Sequence, residues 1–249
     1  MERLSDLPEP ANTANDYDGF AEAYAAENEH SLVNAHYERP AMLALAGDVR
    51  GRRILDAGCG SGPLAAALRE RGAVVTGLDV SAAMLALAGR RLGEGVPLHR
   101  VDLRDRLPFT DGEFDDVIAS LVLHYLEDWG STLAELRRVL RPGGRLLASV
   151  DHPFVAYTFQ EPRPDYFATT DYAFEWVIGG HSAPMRFWRK PLHAMTEAFT
   201  TAGFRLSTIA EPQPDPAARD LFPDAFRDLS HKPTFLFFVV EALSVSAGP

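Results

Sequence analysis

The 249 residues are 46% hydrophobic and 24% charged with a formal charge of −11, which fits one sizeable globular domain and excludes a disordered or fibrous chain. That acidity argues against a nucleic-acid partner, because gripping a phosphate backbone takes basic stripes that displace counterions. A single cysteine, Cys59, excludes an internal disulfide and a thiolate-held iron–sulfur cluster, and no apolar run nears the ~20 residues that span a bilayer.

With no hydrophobic signal core at the first residues, the expectation is a soluble, cytoplasmic protein, monomer or homodimer, with no membrane partner. Residues 1–13 are polar and proline-containing and read as a loose lead-in. From Tyr17 to Ala46 apolar side chains recur at helical spacing, so 14–47 is expected to form a helical cover. Between 51 and 150 strand-like and helix-like segments alternate, the pattern of a parallel sheet with helices on both faces. Ile54-Leu55-Asp56 ends a first strand, and Pro63 to Leu68 opens a helix. A second strand runs from Ala73 to Asp79, with Ser81 placed to cap the helix that follows. A third lies in 96–103, a fourth in 113–120, and Val139-Leu140-Arg141-Pro142-Gly143-Gly144 leads into a fifth. Residues 151–190 break this rhythm and hold 10 of the chain's 25 aromatics. Alternation over 172–178, then Gly179-Gly180, then 185–188 predicts a β-hairpin. A helix restarts after Pro191, and strands are expected at Phe204–Ile209 and over 234–242. The whole of 1–249 is read as a single domain, with 151–190 inserted as a hairpin or lid.

The most informative run is Asp56-Ala57-Gly58-Cys59-Gly60-Ser61-Gly62. Alternate glycines turn the chain sharply after a strand and let a ligand approach where a Cβ would collide. Strand, glycine turn and helix together are how open α/β sheets hold nucleotide-like cofactors. The G-x-G-x-G spacing differs from the G-x-G-x-x-G of dinucleotide binders. Asp79, 23 residues after Asp56, stands where a carboxylate can accept hydrogen bonds from a ribose diol.

This run resembles motif I of the class I S-adenosylmethionine (SAM)-dependent methyltransferases, and Val-Leu-Arg-Pro-Gly-Gly at 139–144 resembles the same family's entry to strand five. Tyr17-Asp18-Gly19-Phe20-Ala21-Glu22-Ala23-Tyr24 is similar to the N-terminal segment of the ubiquinone/menaquinone-type members. The likeness is close over roughly 15–150 and looser beyond. It implies a doubly wound, seven-stranded, mostly parallel Rossmann-like sheet, with the strand over 234–242 antiparallel. It also implies SAM as cofactor, S-adenosylhomocysteine as product, and a small-molecule substrate. Carried onto this sequence, it places Gly58, Gly60 and Gly62 as the cofactor loop and Asp56 at the turn and the cofactor's amino group. Asp79 with Val80 goes to the ribose, Asp102 with Leu103 to the adenine, Ser120 to the end of strand four, and Tyr24 to the methionine end. Tyr17 and His36 are candidates for the pocket mouth.

His124 and His152 each follow a strand at the carboxyl edge, where a near-neutral histidine suits removal of a proton. Tyr157, Trp176 and Trp188 are candidates to roof an apolar substrate cavity, although alternating aromatics equally make a small core. Asp115-Asp116 is the only adjacent acidic pair near a strand, and its place at a strand start suits solvent better than a metal; no metal is expected. The expected activity is methyl transfer to oxygen, nitrogen or carbon of a small, partly apolar or aromatic metabolite. Proximity and desolvation would dominate. Two other readings stay open: a SAM-binding protein without transfer activity, and a nicotinamide-dependent oxidoreductase on the same sheet.

Overall fold

A computed structural model describes residues 15–243 of the chain, so the lead-in expected over 1–13 lies outside the described residues. Five parallel strands come first: β1 (Arg53–Ala57), β2 (Val74–Asp79), β3 (Leu98–Arg100), β4 (Phe114–Ser120) and β5 (Leu140–Asp151). A separate hairpin follows, β6 (Thr170–Ile178) with β7 (His181–Arg189). The chain then returns to the main sheet with β8 (Phe204–Ala210) and β9 (Phe235–Ala242). The seven-stranded sheet has the order β3-β2-β1-β4-β5-β9-β8, with β9 antiparallel to both neighbours. Strand order therefore reverses between β1 and β4. At such a reversal the flanking connections leave on opposite faces and open a crevice at the carboxyl ends of the strands.

Both faces of the sheet are covered, so alternate residues of each central strand enter different cores. Leu55, Val117, Leu146 and Phe238 point to one side, against Trp129, Leu133 and Phe199 of the helical segments there. Ile54, Ile118, Leu147 and Phe237 point to the other, against Met42, Leu64 and Leu68. The period of two carries this to the strand ends. Asp56, Asp79, Ser120 and Ser149 share parity with the second set and so open on one side of the crevice.

That side is built by helices α2 (Arg39–Ala46), α3 (Pro63–Glu70) and α4 (Ala82–Leu92). As the sequence suggested, Ser81 caps α4, its hydroxyl accepting from the Met84 amide at 3.1 Å. The helix expected over 17–46 is broken. Helix α1 (Ala21–His30) stops at Ser31, which is extended (ψ 144°) and caps the next turn through its hydroxyl, 3.2 Å from the Asn34 amide. Asn34–Glu38 then form a π-helical turn that runs straight into α2. The expected turn before strand five is also different. Phe114 pairs with Leu140 but Asp116 with Arg145, so Arg141–Gly144 bulge out within a continuous β5.

At the opposite, amino edge of the sheet, Asp116 is 1% exposed and is gripped by Arg52 and by Arg145 at 2.8–2.9 Å. This corrects the solvent position expected for Asp115-Asp116: strand starts here are pinned by a buried ion cluster. No helix among the described residues is long and apolar enough to cross a membrane.

Candidate functional site

The glycine turn joins β1 to α3, and all three of its alternate glycines have left-handed backbone: φ +81° at Gly58, +54° at Gly60 and +79° at Gly62. Only glycine takes that conformation without a Cβ penalty. A Cβ on Gly58 would lie 2.7 Å from Val122, whereas one on Gly60 would meet nothing within 4 Å. The turn is packed on one side and open on the other.

Asp79 closes this loop from β2. One carboxylate oxygen accepts from the Gly60 amide at 2.8 Å and the other from the Ser81 amide at 2.9 Å. Burial nevertheless pushes its carboxyl above the usual range. Asp56, 1% exposed at the end of β1, has Oδ2 buried without a hydrogen-bond partner. Burial first, then the nearby carboxylates of Glu38 and Asp79, pushes it up to about 7. Glu38, absent from the sequence expectations, is 4% exposed and its Oε1 accepts from both Ser120 Oγ and Ser149 Oγ at 2.7 Å. Two buried acids and the half-buried Asp79, from three elements, thus converge on the crevice. Uncompensated buried negative charge is costly, and a ligand bearing positive charge relieves it. The ammonium and sulfonium of SAM meet that requirement.

Above the turn lies an aromatic cluster. Tyr24 stacks on Trp176 with centroids 5.8 Å apart, and Tyr17 shares a 2.5 Å hydroxyl–hydroxyl hydrogen bond with Tyr125. Phe187 of β7 packs 5.2 Å from both Tyr125 and His124. The hairpin turn rests on α1, since a Cβ on Gly179 would meet that of Ala23 at 2.9 Å. The N-terminal segment is fixed at a second point, where Asp18 Oδ1 accepts from the Ala83 amide at 3.1 Å and from the Ser81 hydroxyl.

Hydrogen bonds to main-chain amides bear on both histidines expected as bases. His124 is buried, and its Nδ1 accepts from the Asp151 amide at 3.2 Å. A neutral imidazole whose Nδ1 accepts must carry its proton on Nε2, and that atom is buried without a partner. His124 is therefore a hydrogen-bond donor here. Burial holds its pKa below the ordinary value, keeping it neutral. His152 has the same tautomer: Nδ1 accepts from the Phe154 amide at 3.3 Å, and Nε2 faces Glu211 at 2.8 Å. Its lone pair is engaged as a helix cap.

Other expected residues scatter. Asp102 is held by Arg104 through both carboxylate oxygens at 2.5–3.1 Å, which keeps its carboxyl below the usual range. Leu103 belongs to the core, 7% exposed, instead of offering an open apolar face. Val80 is 39% exposed beside Asp79. Trp188 pairs with Asp171 and Trp176 with Ala183, which puts them on opposite faces of the hairpin, so they cannot line one cavity. Tyr157 packs on Tyr166, and His36 on Phe222, both outside the Tyr17–Tyr24–Tyr125 group.

A family model described as "Methyltransferase domain" matches residues 55–148. The ubiquinone/menaquinone biosynthesis C-methyltransferase of Desulfotalea psychrophila is 32% identical over 207 residues, 76% of this chain and 80% of that protein. The chain belongs to the class I SAM-dependent methyltransferases. A SAM-dependent methyltransferase from Mesorhizobium loti has the same fold, with a TM-score of 0.69 and 29% identity, covering 81% of this chain and 96% of that one. Another similarity spans less of the chain. The malonyl-[acyl-carrier protein] O-methyltransferase of Serratia marcescens is 39% identical, but over 43% of this methyltransferase and 42% of its own length. Family membership sets the nicotinamide reading aside. Of the site, the glycine turn and its acids announce themselves by local spacing. Glu38, Tyr125 and the Tyr172–Asp151 hydrogen bond of 2.7 Å carry no local pattern and come together only by folding.

Proposed function

We propose that this methyltransferase transfers the methyl group of SAM to a small, partly apolar or aromatic metabolite held between the glycine turn and the aromatic cluster. In this reading Gly58, Gly60 and Gly62 form the cofactor loop, Asp79 takes the ribose, and Asp56 and Tyr24 face the methionine end. When bound, SAM supplies a methyl carbon activated by its sulfonium. The chain's residues contribute position and dryness: the tyrosines and Trp176 exclude water, and a desolvated nucleophile held in line needs little further help. His124 offers Nε2–H to an acceptor oxygen on the substrate, a carbonyl, carboxylate or phenol oxygen, and orients it. A proton lost from an attacking hydroxyl or amine would leave to solvent when the methylated product departs the crevice, since both Nδ1 lone pairs accept main-chain amides.

The observation that carries this reading is the meeting, at one crevice, of unneutralised buried acids below and a hydroxyl-tipped aromatic cage above. Incubating the protein and SAM with panels of phenols, quinols, amines and carboxylic acids, read by mass for gain of one methylene unit, tests it. Transfer to members bearing an acceptor oxygen beside a ring is expected. Transfer confined to protein or RNA would overturn it.

A further inference from the structure

The fold puts one buried acid where no sequence motif announces it. Glu38 ends the π-helical turn, and such turns are rare and concentrate at functional sites. Its side chain crosses to the ends of β4 and β5, where two serine hydroxyls hold a single carboxylate oxygen. Ser120 stands two residues beyond Ile118, the register partner of Asp56 on the neighbouring strand, so Glu38 lies just past the strand end from Asp56, whose Oδ2 has no partner. We propose that Glu38 is a cofactor-site residue, and that it and Asp56 share one exchangeable proton that leaves when the cationic end of SAM is seated against them. This rests on the placement of the cofactor over the glycine turn given above.

Two carboxylates desolvated together do not both ionise without a cation, so one keeps its proton. The groups around them cannot substitute. Asp79, from β2, adds a third negative charge. The Cys59 thiol, from the glycine turn, and the Tyr24 hydroxyl, from α1, are pushed up by burial and stay neutral. Ser120 and Ser149 are neutral donors. Arg39, at the start of α2, is the cation whose field reaches Glu38, but it is weaker there than burial and both serines, and it is not among the groups acting on Asp56; its guanidinium is held away on Asn28, 2.6 Å from the side-chain oxygen and 3.1 Å from the carbonyl. A ligand cation against the pair reverses the balance: both acids ionise and one proton goes to buffer. SAM affinity then rises with pH through the range in which Asp56 titrates.

The test is isothermal titration of the full chain with SAM at pH 6 and 7, in buffers of different ionisation enthalpy. At these pH values the ligand's own amino group, with a pKa near ~7.8, remains largely protonated. The expected result is release of about one proton at pH 6 and about half at pH 7, with affinity rising about fivefold between them. In Glu38→Gln, which keeps an oxygen for the serines, proton release and the pH dependence should fall together. Binding whose heat is the same in every buffer overturns the proton coupling and leaves the cofactor placement intact. Absence of binding at any pH overturns the placement itself. Should Glu38→Gln not fold, carbon-13 side-chain NMR of the unsubstituted protein decides. One aspartate carboxyl should titrate near ~7 without ligand and below about 5 with saturating SAM, and a free-protein spectrum in which every aspartate titrates below about 5 overturns the inference.

Discussion

Tyr24 lies flat on Trp176, their ring planes 7° apart, and this contact ties α1 to the hairpin across the crevice. Neither element is otherwise part of the sheet, so the stack acts as a clasp. An aromatic pair of this kind contributes about 0.5–1.5 kcal/mol beyond its buried area. Trp176→Ala should therefore speed dissociation of S-adenosylhomocysteine by about fivefold in stopped-flow experiments, with much less change in the association rate. Equal dissociation rates would mean that the clasp does not hold the ligand.

His124 acts on stability in two opposed ways. Its Nε2–H is buried without an acceptor, and replacing an unsatisfied polar group by an apolar one of similar shape is neutral or stabilising. His124→Phe removes that group but also the acceptor of the Asp151 amide, so the two effects offset and the melting temperature at pH 7 is expected to change little, while transfer falls at least tenfold. The pH dependence has a definite sign. With its folded pKa below the unfolded value of ~6.5, His124 binds fewer protons folded than unfolded, so stability is lost as pH falls through and below ~6.5. Melting curves between pH 7 and 5 should fall more steeply for the unsubstituted protein than for His124→Phe. Parallel curves would remove His124 from the account.

Asp56 has the opposite sign. Its folded pKa, up to about 7, exceeds the unfolded value of ~3.9, so the folded state holds the extra proton and stability falls as pH rises from ~4 to ~7. Asp56→Asn keeps the neutral form at every pH. The variant should match the parent near pH 3, already exceed it by about 1.5 kcal/mol at pH 5, and exceed it at pH 8 by at most about 4 kcal/mol, the full value of a shift of this size. Denaturant titrations across this pH range check this. Its SAM affinity should drop, because the fixed charge is gone.

The parts of this protein legible in the sequence are those decided locally. The glycine turn, the acids at the ends of β1 and β2, the Ser81 cap and the hairpin each follow from backbone conformation or from period two. Family resemblance supplied the strand order and the antiparallel β9. What escaped was decided by groups far apart in sequence. Glu38 stands 82 residues from Ser120 and 111 from Ser149, and nothing near it marks it as more than a helix-surface acid. The histidine hydrogen bonds escaped for a related reason: residue type suggests a base, but the ring nitrogens meet main-chain amides that only folding brings near. Trp188 was misplaced by strand register, because a hairpin aligned Trp176 to Ala183 necessarily turns Trp188 to the other face.

Asp116 sits at the far end of the sheet from the crevice, so its loss should separate stability from function. Removing one partner from a buried ion cluster leaves the remaining charges uncompensated and costs about 3–5 kcal/mol. Here Arg52 and Arg145 are a quarter exposed, which puts Asp116→Ala near the lower end. A loss of about 3 kcal/mol in urea unfolding is expected, with SAM affinity of the folded fraction unchanged.

Gly58→Ala brings two separate penalties to the cofactor loop. The left-handed φ of +81° costs an alanine about 1–2 kcal/mol, and the new methyl would sit 2.7 Å from Val122 Cγ2, an overlap that costs about 1–3 kcal/mol unless the loop moves. If the loop moves, Gly60 and its amide shift away from Asp79, and SAM binding is lost along with stability. Val122→Ala removes Cγ1 and Cγ2 and so relieves the worst of the overlap, leaving its Cβ at 3.0 Å, but does not relieve the backbone strain. The double variant Gly58→Ala/Val122→Ala should therefore recover part of the SAM affinity lost in Gly58→Ala, measured by calorimetry, and remain less stable than Val122→Ala alone by about 1–2 kcal/mol. Full recovery would show that the left-handed turn is not needed. No recovery would show that crowding against Val122 is not what disables the loop.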